Sequence, residues 1–341
     1  MSYNREVGLT VATLTERELI ARIQERLPSA PEWLVVGIGD DAAVVQAERN
    51  RVEVLSVDAL VEGIHFDRAF VPPATIGYRA LAANLSDLAA MGAAPRLALV
   101  SLMLPAALPL DDFDEIVRGV VSLASQHRLH VVGGNLTQSP GPLIVDVTVV
   151  GTVKPRQALT RSGARPGDEL FVSGTIGSAA AGLRLLREGA APLSSAGSLT
   201  ERYLRPEPRI RLGTLLARNR AATACMDLSD GLSDAVYQVA EASGVGAIID
   251  GDALPIDPAA RAVFESHGVD ALEAAIAGGD DYELLAAVRP RTRRRLAAPI
   301  RHGGVPLTMI GRCTADRAVL LQRGSRESAP LPRGGYDHFR S

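Results

Sequence analysis

The sequence predicts a two-domain protein of mixed α/β, or α+β, class. Three observations predict it: segments with helical spacing alternate with short β-branched runs, one glycine- and proline-rich stretch interrupts both, and Asp-bearing turns recur on either side of that break. With 341 residues, 47% of them hydrophobic, the chain can bury a large core, and its length alone suggests two domains.

Thr15 and Glu18 have the spacing of a capping box, and Leu19, Ile20, Ile23 and Leu27 recur on one face of the helix expected after it. Val52, Val54 and Ser56 alternate with Glu53, Leu55 and Val57, which predicts a strand; the β-branched run 143–153 predicts another. Between them, helical spacing is found over 76–91 and 112–126, and 131–137 reads as a buried strand ending in a Gly-Gly turn. Pro155, Gly163, Pro166 and Gly167 break the apolar pattern over 154–167, placing an N-terminal domain at 1–153 and a C-terminal domain at 154–341. The second domain is expected to open with a strand at 169–173 and a turn into a helix from Ser178. The Gly-, Ala- and Ser-rich residues 188–198 read as a flexible connection, and a strand at 223–226 precedes a helix over 232–242. Asn84-Leu85-Ser86-Asp87 and Asp227-Leu228-Ser229-Asp230 echo each other, each expected to lead into a helix.

Composition excludes several functions. A formal net charge of -3 provides no basic field for nucleic acid. Lys154 is the only lysine and Pro155 follows it, so no Gly-Lys-Ser/Thr phosphate loop exists. Cys225 and Cys313 form neither a disulfide framework nor a zinc motif, and a reduced compartment is the simplest reading. The first residues show no apolar signal region and no stretch of about 18 apolar residues occurs, so a cytoplasmic location is expected.

The chemistry lies in the aspartates. Asp40, Asp41, Asp58, Asp87, Asp227, Asp230, Asp234, Asp280 and Asp281 sit in GDD, SVD, LSD and GGDD segments, where carboxylates suit hard divalent cations that bridge to phosphates. Each alone could equally cap a helix or close a turn. Gly37-Ile38-Gly39-Asp40-Asp41-Ala42 superficially matches a dinucleotide fingerprint, yet two carboxylates would face the pyrophosphate; a bound Mg²⁺ reverses that field. Asp58, at the end of its predicted strand, can point into a cleft, and Asp87 needs a cap role or a cation. His65 is either a structural histidine or a donor to an anionic group, and Arg161 is either a planar fork for phosphate or a surface arginine. Gly133 and Gly134 let backbone approach a phosphate closely, and Asp227 and Asp230, three apart, can share one side of a turn.

GIGDDAAVV, SVDALVEGIHF, NLSDLAAMGA, LTRSGARPGD, DLSDGLSD, GGDDYEL and GYDHF, in this order, resemble the thiamine-monophosphate kinase family, within the aminoimidazole ribonucleotide synthetase-like superfamily. The resemblance runs from about Gly37 to Phe339 and implies that fold, with an N-terminal domain that dimerises through its sheet and ATP in a cleft between the domains. It implies transfer of the ATP γ-phosphate to thiamine monophosphate. By motif position, Asp41, Ser56, Val57, Asp58, Asp87, Asp227 and Asp230 would hold several Mg²⁺ ions. Gly134, Asn135, Arg161 and Ser229 would contact ATP; His65, Asp280 and Tyr336 would contact thiamine monophosphate. Tyr336 can stack on the cationic thiamine ring system. Two departures stand out: Asn135 replaces the family's Asp at a metal position, offering one oxygen and no charge, and Asp280 replaces its Glu, one methylene shorter.

The reaction implied is direct in-line displacement. The attacking phosphate oxygen is already ionised at neutral pH, so no general base is demanded and no covalent nucleophile is expected. Two alternatives remain at this stage, another ATP-dependent enzyme of the superfamily and a non-catalytic nucleotide- or thiamine-phosphate-binding sensor. The GYDHF ending disfavours ribonucleotide cyclisation, and the absence of a reactive Cys near the first glycine segment disfavours selenophosphate synthesis.

Overall fold

Two α/β units form, as the pattern of helices and strands predicts. The computed structural model describes residues 9–189, 194–324 and 328–335. Unit 1 comprises Met1–Arg49, Leu55–Asn84 and Pro95–Gly151; unit 2 comprises Asn50–Val54, Leu85–Ala94 and Thr152–Ser341. Among the described residues, no helix is long and apolar enough to cross a membrane.

Unit 1 begins with helix α1 (Glu16–Gln24), and its capping box is complete. The Glu18 carboxylate accepts the Thr15 N–H at 2.7 Å, and Thr15 Oγ1 accepts the Glu18 N–H at 3.4 Å. Arg22 and Arg26 reach Asp114 of a later helix, the second at 2.9 Å. Strands β1 (Leu34–Val36) and β2 (Val44–Val45) pair antiparallel, so the glycine-aspartate segment 37–43 becomes the loop joining them. Then follow β3 (Val52–Val61), α2 (Pro73–Ala90), β4 (Ala94–Pro105), α3 (Leu110–Gln126), β5 (His130–Ser139) and β6 (Ile144–Val153).

The main sheet of this unit has the order β3-β6-β4-β5. Strands β4 and β5 are parallel, as the crossover through α3 requires. Along β6, Val145, Val147 and Val149 are fully buried, while Asp146 and Thr148 are half-buried on the opposite face. Helices α2 and α3 cross at paired glycines. A Cβ on Gly77 would lie 1.9 Å from the Ile116 carbonyl oxygen, and one on Gly119 would lie 1.9 Å from that of Ala74.

Unit 2 is built on a seven-stranded sheet flanked by helices. Its strands are β7 (Glu169–Ser173), β8 (Ala224–Asp227), β9 (Gly246–Asp250), β10 (Leu284–Val288), β11 (Leu307–Thr314), β12 (Val319–Gln322) and β13 (Ala329–Pro330), in the order β13-β12-β9-β11-β7-β10-β8. Strand β10 pairs antiparallel with β7 and β8, β11 with β7 and β9, and β12 with β13, whereas β12 runs parallel to β9. Helices α4 (Ser178–Arg187), α5 (Ser194–Leu204), α6 (Ile210–Arg218), α7 (Leu232–Ser243), α8 (Pro258–Ser266), α9 (Ala271–Ala277) and α10 (Ala297–His302) complete it. Val172, Met226, Ile249 and Leu285 of the sheet share one core with Leu232, Val236 and Val239 of α7. Ala181, Leu199, Ala260, Phe264 and Ala271 form a smaller core among α4, α5, α8 and α9.

Four local expectations are corrected. Strand β5 does not stop at a Gly-Gly turn but runs through Gly133 and Gly134, paired with Leu99 and Val100. Strand β3 continues past Asp58 to Val61. Asn84-Leu85-Ser86-Asp87 lies inside α2 rather than before a helix, whereas Asp227-Leu228-Ser229-Asp230 does lead from β8 into α7, so the two echoes are not structural equivalents. The expected connection 188–198 is helical from Ser194, and its residues 190–193 fall outside the described residues.

Gly119→Ala sets a helix-propensity gain of about 1 kcal/mol against a Cβ that has no room beside a backbone carbonyl. Overpacking of about 1–3 kcal/mol wins, and the denaturant midpoint of the variant is expected to fall with an unchanged slope.

Candidate active site

Two groups of predicted site residues form, one within each unit. In unit 1, Asp41, Gly134 and Asn135 line one concavity of about 1220 Å³, together with Ser101, Asp146 and Thr148 of the sheet and an apolar wall that includes Ile20 and Ile23 of α1. Asp40 is the structural member of its pair: its Oδ1 accepts the Asp41 N–H at 2.8 Å and fixes the turn. Gly39 (φ 122°) and the Gln24 amide, which donates to the Ile38 carbonyl at 2.7 Å, hold the same loop. A Cβ at Gly134 would sit 1.8 Å from the Val100 carbonyl oxygen, so only glycine fits this strand position. Its neighbour Asn135 lies opposite Ser101 and is exposed.

Asp58 is exposed on β3 and Ser56 is half-buried beside it; Val57 is 59% exposed, unusual for an apolar side chain. The Asp58 carbonyl accepts from the buried Asn84 amide at 3.5 Å. His65 Nδ1 accepts the Val61 N–H at 3.0 Å, which assigns the ring proton to Nε2.

In unit 2 the acids are closer together. Asp227 ends β8 and is 2% exposed; Ser86 donates its hydroxyl to Asp227 Oδ2 at 2.7 Å. Burial, then the charges of Asp87 and Asp230, push the Asp227 carboxyl up to about 7, against the Ser86 hydrogen bond. Gly231 (φ 101°) then turns the chain into α7, and Asp234 in its first turn accepts from Gln238 at 2.5 Å. Gly334 and Gly335 pass over this corner: Gly334 N–H donates to Ser233 Oγ at 3.3 Å, and a Cβ on Gly335 would lie 2.7 Å from the Asp230 carbonyl oxygen. Tyr336 lies outside the described residues. Among the described residues no group of three or more His, Cys, Asp or Glu side chains is arranged as a ready metal centre.

Segment 279–283 runs beside this cluster. Asp280 N–H donates to the Ser229 carbonyl at 2.7 Å and Tyr282 N–H to the Leu228 carbonyl at 3.1 Å, so Ser229 and Asp280 are neighbours. The Tyr282 hydroxyl donates to Asp280 Oδ1 at 3.1 Å. Asp281 is instead structural. Buried to 2% exposure, it accepts the Gly177 and Ala179 N–H groups at 2.6 and 3.1 Å, capping α4 where neither Gly177 nor its neighbours supply a side-chain cap. Arg161 stands apart from these acids: it is exposed, donates to the Gln238 side chain, and its carbonyl accepts from Ser243 Oγ at 3.2 Å.

Sequence reasoning missed Ser86, Asp146 and Tyr282. Asp146 gave a signal, since one carboxylate interrupts the β-branched run 143–153, and burial raises its pKa. Ser86 and Tyr282 lie within the quoted motifs but carry no separate signal.

Burial raises Asp281 from 3.8 to about 7, against its two backbone donors. The native state therefore keeps a proton that the unfolded chain releases, and this contribution to stability is lost as pH rises from about 4 through 7. Asp281→Asn, neutral throughout, should be the less stable form mainly at low pH, and the gap to the parent should narrow between pH 5 and pH 8 in paired denaturant titrations.

Residues 39–153 match the model of the AIR synthase related protein, N-terminal domain, and residues 165–322 that of the AIR synthase related protein, C-terminal domain. Thiamine-monophosphate kinase of Escherichia coli is 40% identical over 331 residues, 95% of this chain and 98% of that protein. The crystal structure of thiamine-monophosphate kinase from Stenotrophomonas maltophilia is 39% identical with a TM-score of 0.81, covering 90% of this chain and 96% of that one. AaThiL complexed with AMPPCP and TMP is 32% identical with a TM-score of 0.76, over 97% and 99% of the two chains. Identity of this level over almost the whole chain establishes that it belongs to the thiamine-monophosphate kinase family.

Proposed function

We propose that this chain transfers the γ-phosphate of ATP to thiamine monophosphate, giving thiamine diphosphate and ADP. The observation that carries the reading is its end-to-end likeness to thiamine-monophosphate kinases, including AaThiL complexed with AMPPCP and TMP. A phosphate oxygen of thiamine monophosphate forms the new P–O bond as the bond from the γ-phosphorus to the β–γ bridging oxygen of ATP breaks, and ADP leaves with that electron pair. No proton has to be removed from an already ionised nucleophile.

Mg²⁺ suits the donor set. Asp227 is buried beside two like charges, and a divalent cation at these hard oxygens would offset the burial and the like charges that raise its pKa. Asp87, Asp227 and Asp230 in unit 2, with Asp41, Ser56, the Val57 carbonyl and Asp58 in unit 1, are the proposed ligands; Asn135 adds a neutral oxygen. When bound, Mg²⁺ neutralises phosphate charge and orients the phosphates.

The chain's own groups would do the rest. Backbone at Gly134 and Asn135, the Ser229 hydroxyl and the Arg161 guanidinium contact ATP; Arg161 would leave Gln238 to do so. His65, Asp280 and Tyr336 receive thiamine monophosphate, with Nε2–H of His65 as the donor to an anionic oxygen. Ser86 fixes the orientation of Asp227. Asp146, in the same concavity as Asn135, keeps that wall polar.

A homodimer through the unit 1 sheet is part of the proposal. Leu55 (65%) and Val57 (59%) are exposed on β3, an apolar surface that a second copy would cover. A cytoplasmic location is supported by two free, buried cysteines.

Thiamine diphosphate formed from ATP, Mg²⁺ and thiamine monophosphate, quantified by chromatography, is expected from the parent protein. Asp58→Ala and Asp87→Ala should lose more than the roughly 10–100-fold typical of removing an outer-shell metal partner, with unchanged circular dichroism. Near-parental rates from either variant would overturn its ligand assignment. Asn135→Asp should lower the Mg²⁺ concentration giving half-maximal rate; an unchanged value would mean that the added charge faces no cation.

A further inference from the structure

Asp280 and Tyr282 have left-handed backbone, with φ of 66° and 49°. Such a conformation is uncommon away from glycine, and two instances within three residues require restraint from outside the segment. The restraint comes from the residues that alternate with them. Asp281 is fastened to the start of α4, and Glu283 is fully buried at 0% exposure.

Glu283 is held from three directions. Arg209 donates to it from Nε at 2.8 Å and from Nη2 at 2.5 Å, Arg202 of α5 donates at 2.8 Å, and the Ser173 hydroxyl at the end of β7 donates at 2.5 Å. Arg202 also donates to the Asp281 carbonyl at 3.3 Å. Arg209 is itself 7% exposed and donates from Nη1 to Glu207 at 2.7 Å. The Glu283 carbonyl in turn accepts the Leu228 N–H at 2.8 Å, so the same anchor reaches the loop that carries Ser229 and Asp230.

Burying a carboxylate with the Arg209 guanidinium is a poor way to gain stability, because the desolvation of the charges consumes most of their attraction. What the arrangement does provide is a fixed direction. A bidentate fork sets the plane of the Glu283 carboxylate, and with it the backbone that leads into Asp280. We propose that Arg209 is a positioning residue that acts through Glu283 to hold the left-handed backbone presenting Asp280 to thiamine monophosphate. The substrate named here rests on the function proposed above; the mechanical role does not.

The test compares Arg209→Lys, which keeps the charge and loses the fork, with Glu283→Gln, which keeps the volume and loses the charge. Hydrogen exchange comes first and needs no activity: peptides spanning 279–284 should exchange faster in both variants, with β9 and β11 unchanged. In steady-state assays the KM for thiamine monophosphate should rise about tenfold or more while the KM for ATP holds. Combining Arg209→Lys with Asp280→Ala should raise that KM no further than Asp280→Ala alone. Unchanged exchange at 279–284, multiplying effects in the double variant, or a lowered melting temperature with both KM values intact would each overturn the proposal. A parent protein that makes no thiamine diphosphate would sink the functional reading instead, and the exchange result would still decide whether Arg209 holds the segment.

Discussion

Leu284 lies opposite Asp227 across the antiparallel pairing of β10 with β8, and the arrangement of unit 2 follows from that register. Beyond the ladder the two strands stay zipped: Leu228 exchanges backbone hydrogen bonds with Glu283 and Tyr282, and Ser229 accepts from Asp280. A shift of one residue would turn Asp227 away from Ser86 and take Glu283 out of reach of its arginines. Because the apolar residues of both strands are buried in one core, the hydrophobic effect fixes the register and thereby places the acids.

The same core sets the electrostatic problem. Asp227 is a charged group at the end of a fully buried strand, with Asp87 and Asp230 as like-charged neighbours. Such a cluster opposes its own ionisation, and folding tolerates it because the surrounding apolar packing is extensive. Glu283, equally buried, meets the opposite circumstance and is surrounded by donors. Asp227 ends β8 and Glu283 immediately precedes β10, the first carboxyl beside like charges and the second held by the protein's own arginines.

Much of this was legible in the sequence. The capping box at Thr15, the alternation along β3 and β6, and the turn of Asp227–Gly231 into α7 are local patterns, and local physics determines them. The motif order also named the acids that the structure gathers at Asp227. What was not legible depends on distant partners. Gly133 and Gly134 suggest a turn until the carbonyl of Val100 is seen to leave room for nothing larger than glycine in a continuous strand. The arginines holding Glu283 stand 74 and 81 positions away in the chain.

Asp280 sits in left-handed backbone, where aspartate is several-fold enriched among the residues that carry a side chain and glutamate is not. A short acid therefore suits this position. It joins a limited reach to a left-handed backbone held from outside the segment, and the Tyr282 hydroxyl limits its remaining rotamers. A side chain held in this way gives up few conformations on meeting any partner, so it trades adaptability toward differently sized partners for a smaller entropic penalty with one of them.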